Sequence, residues 1–364
     1  MKKQIMLVTD LVIREDFCNG KCIYCLTKSS QLKASHYRIK DNGPDMSSEA
    51  ANEKYFKGEP LWSRLNKIIG NLNEYVDSPI LKISGGEVLL IPGIVDFIRD
   101  VSPLYNRVQL LTNGTLLTDN IIKELSGIRN LHMQISLDSW SFEGNWARVQ
   151  GNRDMHDAII YGIESVAKKG ISVEINCVLN KFNISHLIST VKSLSSIGGK
   201  VKIVPYPIRG NSQKEYLPEG NVNEVIGELV YLYSEYKNIL PPKAYLLGLM
   251  EFFTNSRRTS RCILPLNLFQ VFDDGIVVGC VNMWTVKTGN ILIDEKNVLN
   301  NLGNEKIHQL LTENEPSLYC RGCYTPWDLI NLFFEGKVTL NEIMEIPLYE
   351  GLESYFEKIL GCLN

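Results

Sequence analysis

Apolar residues in the first 210 positions gather into short runs rich in Ile, Val and Leu, separated by stretches with helical spacing. Repeated βα units around a parallel sheet produce that alternation. Six runs read as strands: Gln4–Val12, Ile80–Ser84, Arg107–Thr112, Leu131–Leu137, Ile171–Leu179 and Val201–Pro205. Each reads as too apolar to present a face to solvent, as strands covered on both sides are. Ser47 or Ser48 before Glu49 and Thr118 before Asp119 signal helix starts, and Gly170 marks the end of a helix near Met155–Lys169. Six units are too few to close as an eight-stranded barrel does. The expected fold class is therefore α/β, built on a partial (β/α)6 barrel.

The texture changes after residue 210. Arg209 to Glu219 collects Gly, Pro, Asn and Ser and reads as a boundary loop. Val222–Lys237 looks helical, Pro241-Pro242 breaks the pattern, and a helix near Ala244–Phe253 leads into the basic loop Arg257-Arg258…Arg261. Asp273-Asp274-Gly275 between Phe269–Phe272 and Ile276–Val278 is a hairpin signal. The expected organisation is a core over 1–210, a helical linker over 211–255, a small α+β domain over 256–330 and a C-terminal helical segment over 331–364. No internal repeat or low-complexity tract interrupts it.

At 364 residues, 44% hydrophobic and 22% charged, the chain can bury a sizeable core and suggests two domains. No run approaches the roughly 18 uninterrupted apolar residues of a membrane span, and Met1-Lys2-Lys3 is followed by Thr9 and Asp10 rather than a signal-peptide pattern. A cytoplasmic protein with no membrane partner is expected. The net charge of −3 argues against a nucleic-acid footprint.

Nine cysteines change the picture. Their odd number, in a chain too large to need stapling, favours metal or redox chemistry over a disulfide framework. Cys18, Cys22 and Cys25 sit together after the first strand, at the carboxyl end of the barrel where such folds build active sites. Three thiolates at this spacing suit an iron–sulfur cluster with one iron left open. A structural zinc ion needs a fourth ligand, for which only His36 lies within a dozen residues, and three unrelated cysteines are the remaining reading. Cys262, Cys280, Cys320 and Cys323 form a second set, for which zinc and a fully ligated cluster fit the spacing equally.

Other residues carry weaker signals. Cys177, in the fifth strand, reads as a small buried hydrophobe, or as a hydrogen donor if it faces the lumen. Cys362 reads as incidental. Arg257, Arg258 and Arg261 read as a solvated loop, with an anionic substrate as the alternative. Trp140, Trp146 and Tyr206 read as packing residues, although aromatics at strand ends can line a pocket.

The C-x3-C-x2-C spacing, with Tyr24 before Cys25, resembles the signature of the radical S-adenosylmethionine (SAM) superfamily, and the likeness runs through the first two-thirds of the chain. It implies a 4Fe-4S cluster on Cys18, Cys22 and Cys25 whose open iron chelates SAM, and reductive cleavage to a 5′-deoxyadenosyl radical. Ser84-Gly85-Gly86-Glu87 resembles the family's GGE motif, which meets the SAM methionine group. Leu111-Thr112-Asn113-Gly114 resembles its TNG segment. Ser136-Leu137-Asp138 ends the fourth strand, where polar residues in the family reach the SAM ribose or amine. Arg148 resembles the first arginine of the family's D-R-I-R-G stretch and would pair with the SAM carboxylate, whereas Gln150 replaces the second.

Gly275-x4-Cys280 after a hairpin resembles the SPASM and Twitch extensions, which implies an auxiliary 4Fe-4S cluster on Cys262, Cys280, Cys320 and Cys323. Tyr324-Thr325-Pro326-Trp327 follows where SPASM chains carry further cysteines, so one Twitch-like cluster is expected. The resemblance implies an enzyme fed by an electron donor such as flavodoxin or ferredoxin. Its substrate is expected to be a ribosomally made peptide, oxidised or crosslinked, with dehydrogenation or epimerisation of a sugar or aminocyclitol as the alternative. The 17 residues before Cys18 leave no room for a peptide-recognition domain, which leans toward the small molecule. Nucleic-acid modification and a non-catalytic zinc protein are the distant readings.

Overall fold

In the computed structural model the described residues are 3–15, 17–25, 60–208, 215–218, 220–259, 262–280, 287–293 and 322–363. The expected helix start at Ser47 or Ser48 lies outside them, as do His36, Arg261 and Cys320. Six parallel strands form the centre: β2 (Val8–Ile13), β4 (Ile80–Gly85), β5 (Arg107–Thr112), β6 (Leu131–Ser136), β7 (Ser172–Leu179) and β8 (Val201–Pro207). They lie side by side in chain order, and helices such as Leu61–Tyr75, Ile94–Val101 and Arg153–Lys168 connect them. This is the partial (β/α)6 barrel that the hydrophobic pattern anticipates.

Helix ends follow the local signals. Thr118 accepts a hydrogen bond from the Ile121 amide to start Asp119–Leu125, and Asn152 does the same from Met155 at 3.0 Å for Arg153–Lys168. Caps of this kind contribute about 1 kcal/mol each. Gly170, at φ 75°, turns the chain out of the latter helix into β7.

Three features depart from expectation. The first strand is two: β1 (Gln4–Ile5) pairs with β3 (Val76–Asp77) in a separate ribbon. Met6 then donates to Asp77 O and Leu7 to Asn267 O as the chain crosses into the main sheet. The helical stretch expected over Val222–Lys237 divides into Val222–Tyr231 and Tyr233–Tyr236. The hairpin of β9 (Leu268–Phe272) and β10 (Ile276–Val278) does not form a sheet of its own. β9 pairs in parallel with β2 from Val8↔Leu268 to Val12↔Phe272, so β9, β10 and β11 (Lys287–Asn290) extend the barrel sheet to nine strands among the described residues.

The two faces of the barrel strands differ in polarity. Leu11, Ile83, Leu110, Met133, Ile175 and Ile203 are fully buried in one core with helix residues such as Ile98, Ile122 and Ile163. The residues alternating with them are Asp10, Lys82, Gln109, Gln134, Glu174 and Lys202, none more than 9% exposed. With Gln270 of β9 they form a polar layer across the inner face, paired as Gln270↔Asp10↔Lys82↔Gln109 and Gln134↔Glu174↔Lys202. The strands are thus apolar toward the helices and polar within, rather than apolar on both sides. Among the described residues, no helix is long and apolar enough to cross a membrane.

Candidate active site

The cysteine loop leaves β2 through Arg14, which sits at φ 49°, and is fastened from two sides. On one side Gly86 N donates to Arg14 O at 3.1 Å and Glu87 N to Phe17 O at 2.8 Å. The loop passes so close that a Cβ on Gly85 would lie 1.9 Å from Ile13 O, and one on Gly86 2.3 Å from Phe17 O. The two glycines are therefore required by the cysteine loop itself, before any ligand approaches. On the other side Ile23 N donates to Ala147 O at 3.1 Å, and the Gln150 side-chain amide bonds Lys21 O. Gln150, where the family pattern has an arginine, anchors the loop.

The sulfurs of Cys18 and Cys22 flank Gly20, 3.4 and 3.8 Å from the position of a Cβ there. Gly20 N donates to Cys18 Sγ at 3.2 Å, and Asn113 Nδ2 and Arg148 Nη1 approach Cys18 Sγ and Cys22 Sγ at 3.9 and 4.0 Å. Burial pushes the Cys22 thiol up to about 11, offset in part by the Arg148 guanidinium. Cys25 joins Cys18 and Cys22 on the wall of a cavity of about 240 Å³ at the carboxyl end of the barrel. Tyr24, Gly85, Gly86, Asn113, Ser136 and Arg148, all expected in the site, line the same cavity, as does Tyr206.

Glu87, Asp138 and Cys177 are placed behind the wall. Glu87 was expected to meet the SAM amine, but its buried carboxylate accepts from Asn113 N at 2.6 Å, Thr112 Oγ1 at 2.8 Å and Leu89 N at 3.0 Å. It ties the Gly-Gly segment to the end of β5. Asp138 was expected at the ribose or amine, yet it is fully buried and takes hydrogen bonds from Tyr24 Oη, Arg148 Nη2 (2.8 Å) and Val178 N (3.2 Å). It positions Arg148 and Tyr24. Cys177 corrects the lumen-facing alternative: its neighbours Asn176 and Val178 line the cavity, so strand alternation turns it the other way. There its thiol donates to Asp138 O at 3.3 Å, and burial holds its pKa well above the ordinary thiol value. Cys177→Ala is expected to leave 5′-deoxyadenosine release within about twofold of wild type, at a stability cost of about 1 kcal/mol. A nucleoside release assay beside a denaturant titration checks both.

The residues present fit an iron–sulfur cluster with a small zwitterionic ligand. Soft sulfur donors border the cavity, and N–H groups point at two of them. Arg148 Nε, buried and without a partner among the described residues, remains for an anionic group. No three His, Cys, Asp or Glu side chains among the described residues close on a single-ion site. A profile of the radical SAM superfamily matches residues 12–194, half of the chain. The chain belongs to the radical SAM superfamily. Members of that family are enzymes that use a 4Fe-4S cluster and SAM.

Individual relatives are distant. The chain is 28% identical over 204 residues to the AdoMet-dependent heme synthase of Methanosarcina barkeri, covering 55% of this chain and 52% of that one. It is 29% identical over 181 residues to the GTP 3′,8-cyclase of Clostridium perfringens, covering 48% of each. It thus spans about half the length of these curated relatives. Among solved structures, Streptococcus suis SuiB bound to S-adenosylmethionine superposes with a TM-score of 0.57 at 14% identity, covering 84% of this chain and 68% of that one. Native anSMEcpe with bound AdoMet gives a TM-score of 0.56 at 17% identity over 98% of this chain and 100% of that one. At such identities the likeness is one of fold.

In this radical SAM chain the second cysteine set is reached through a network that the motifs did not announce. Arg258, read from sequence as a solvated residue, has a side chain only 5% exposed, and its Nη1 pairs with Asp328 Oδ1 at 2.9 Å. Arg258 Nε also donates to Cys323 O at 3.0 Å. Asp328 accepts from Asn331 Nδ2 at 2.9 Å, and that amide approaches Cys262 Sγ at 3.8 Å, while Ile263 N donates to Asn331 Oδ1. Cys262 and Cys323, 61 positions apart in sequence, are thus attached to one buried network. Directly after Cys323, Thr325, Pro326 and Trp327 line the central cavity.

Proposed function

We propose that this radical SAM enzyme carries out a net oxidation, with a single auxiliary 4Fe-4S cluster held by Cys262, Cys280, Cys320 and Cys323. One observation carries this: the segment that follows Cys323 forms part of the wall of the cavity bordered by Cys18, Cys22 and Cys25. Four thiolates leave no open iron position, which suits electron transfer rather than substrate chelation.

With SAM bound, a cluster on Cys18, Cys22 and Cys25 would supply the chemistry of hydrogen abstraction by a 5′-deoxyadenosyl radical. The chain's own contribution is placement. Cys18, Cys22 and Cys25 would hold the cluster, while Gly85, Gly86, Asn113 and Ser136, on the wall of the same cavity, would offer backbone and polar contacts to SAM. Arg148, kept in place by Asp138, would pair with the SAM carboxylate. Reducing electrons are expected from an external flavodoxin or ferredoxin.

The substrate we favour is a side chain of a ribosomally made peptide, in line with the fold shared with SuiB, which has also been solved with its precursor peptide SuiA. The second reading is a small polar molecule, favoured by the polar inner face of the barrel and by the heme synthase and GTP cyclase relatives. Within that reading dehydrogenation fits better than epimerisation by Cys177, which faces away from the lumen. A Cys262→Ala/Cys280→Ala variant is expected to retain about half the iron of wild type. Its yield of oxidised product should fall at least tenfold further than its release of 5′-deoxyadenosine. Full iron content, or equal losses of product and nucleoside, would count against an auxiliary cluster in electron transfer.

A further inference from the structure

Below the Gly-Gly layer, the inner face of the barrel contains a cation whose bonding is incomplete. Lys82 lies three residues before Gly85 on β4, roughly 10 Å deeper at the usual strand rise. Its side chain is 10% exposed, and it lines the central cavity. The nearest anion, Asp10 Oδ2, is 3.5 Å from Nζ, longer than a charge-assisted hydrogen bond. That carboxylate is already held by Ser84 Oγ at 2.6 Å and Gln270 Nε2 at 2.8 Å. Nζ also lies over the face of Trp327, whose ring centroid is 5.4 Å away, and the Glu174 carboxylate interacts with its charge at longer range.

Among the described residues Lys82 Nζ makes no hydrogen bond, although an ammonium carries three donors. A buried charge in this state costs free energy that a ligand acceptor would recover. Gln134 points to the same conclusion from β6. Its Nε2 donates to Glu174 Oε1 and to Asn176 Oδ1, the latter at 3.2 Å, while its Oε1 is buried without a partner. Gln134 lines the cavity too. The wall thus offers a cation on β4 and an acceptor two strands away on β6.

We propose that Lys82 is the substrate anchor: it binds an oxyanion of the substrate, a carboxylate or a phosphate, whose neighbouring N–H or O–H group donates to Gln134 Oε1. Trp327 covers the anchored group from the side of the second cysteine set. This deepens the reading of the cavity as the radical site and rests on it. Peptide and small-molecule substrates both qualify, provided that they bring an acidic group into the barrel.

The test is isothermal titration of inorganic phosphate and, separately, of acetate into the reconstituted, SAM-loaded protein. Wild type, Lys82→Gln, Lys82→Arg and the surface control Lys168→Gln are compared. Wild type is expected to bind one of the two anions, which distinguishes a phosphate-bearing from a carboxylate-bearing substrate. Lys82→Gln should weaken that binding at least tenfold, or about 1.4 kcal/mol, while Lys82→Arg and Lys168→Gln stay within threefold. Binding by Lys82→Gln at wild-type affinity, or no binding of either anion by wild type, overturns the proposal. Release of 5′-deoxyadenosine by wild type is read in parallel. Its absence, with anion binding still dependent on Lys82, would overturn the radical reading and leave the anchor standing.

Discussion

A chain carrying Cys18→Ala, Cys22→Ala and Cys25→Ala will release no measurable 5′-deoxyadenosine under a strong reductant, and after anaerobic reconstitution will hold about four fewer irons than wild type. The loss is expected to be complete because these three thiols are the sulfur donors on the cavity wall that also presents Gly85, Gly86, Asn113 and Arg148. Misfolding is a poor alternative explanation for such a result. The loop is held by backbone bonds from Gly86, Glu87 and Ile23, none of which involves a cysteine side chain. Circular dichroism and a denaturant midpoint close to those of wild type would accompany the loss. Iron content and nucleoside release equal to wild type would exclude these cysteines as cluster ligands.

Asp138→Ala should be the most damaging single change outside the cysteines. It leaves the Arg148 guanidinium, 6% exposed, without its counter-charge, and takes the acceptor from Tyr24 Oη and Val178 N. Burial alone would lower the Arg148 pKa. Asp138, with Tyr24 and Cys22, more than reverses this and keeps it above the ordinary arginine value, so the side chain stays charged and cannot relieve the defect by losing its proton. Removing one partner of a buried pair costs about 3–5 kcal/mol, which a denaturant titration of the apo-protein reads directly. Asp138→Ala/Arg148→Ala should recover part of that cost, because it removes the uncompensated charge along with its partner. SAM affinity should stay low in both, Arg148 being misplaced in one and missing in the other. A single variant as stable as wild type would contradict the clamp.

The parallel strands and the cysteine loop were legible because each rests on local pattern: apolar runs of strand length, a cap at Thr118, a glycine at 170, thiols separated by three and two residues. What was missed depends on side-chain direction or on long-range register. Lys82, Gln109, Gln134, Glu174 and Lys202 each stand between apolar neighbours, a period-2 signal present in five strands, and Asp10 of β2 follows Thr9. The Ile, Val and Leu residues around them mask it, so that the sequence alone reads as strands apolar on both faces. In truth the barrel reverses the usual surface strand, since its polar side is the enclosed one. The joining of β9 to β2 pairs residues about 260 positions apart and leaves no local trace. Glu87 and Asp138 sit at strand ends, where motif likeness locates a residue but not the direction of its carboxylate. Arg258, Asp328 and Asn331 form one network only in the fold, although the i, i+3 spacing of the last two on the Asp328–Phe334 helix was available.

The most direct test of the account is the stoichiometry of SAM cleavage by the reconstituted wild-type chain under a strong reductant. The account predicts that 5′-deoxyadenosine and methionine appear together, one to one, in step with SAM consumed. SAM left intact in a protein whose cysteines are loaded with iron and sulfide would contradict it.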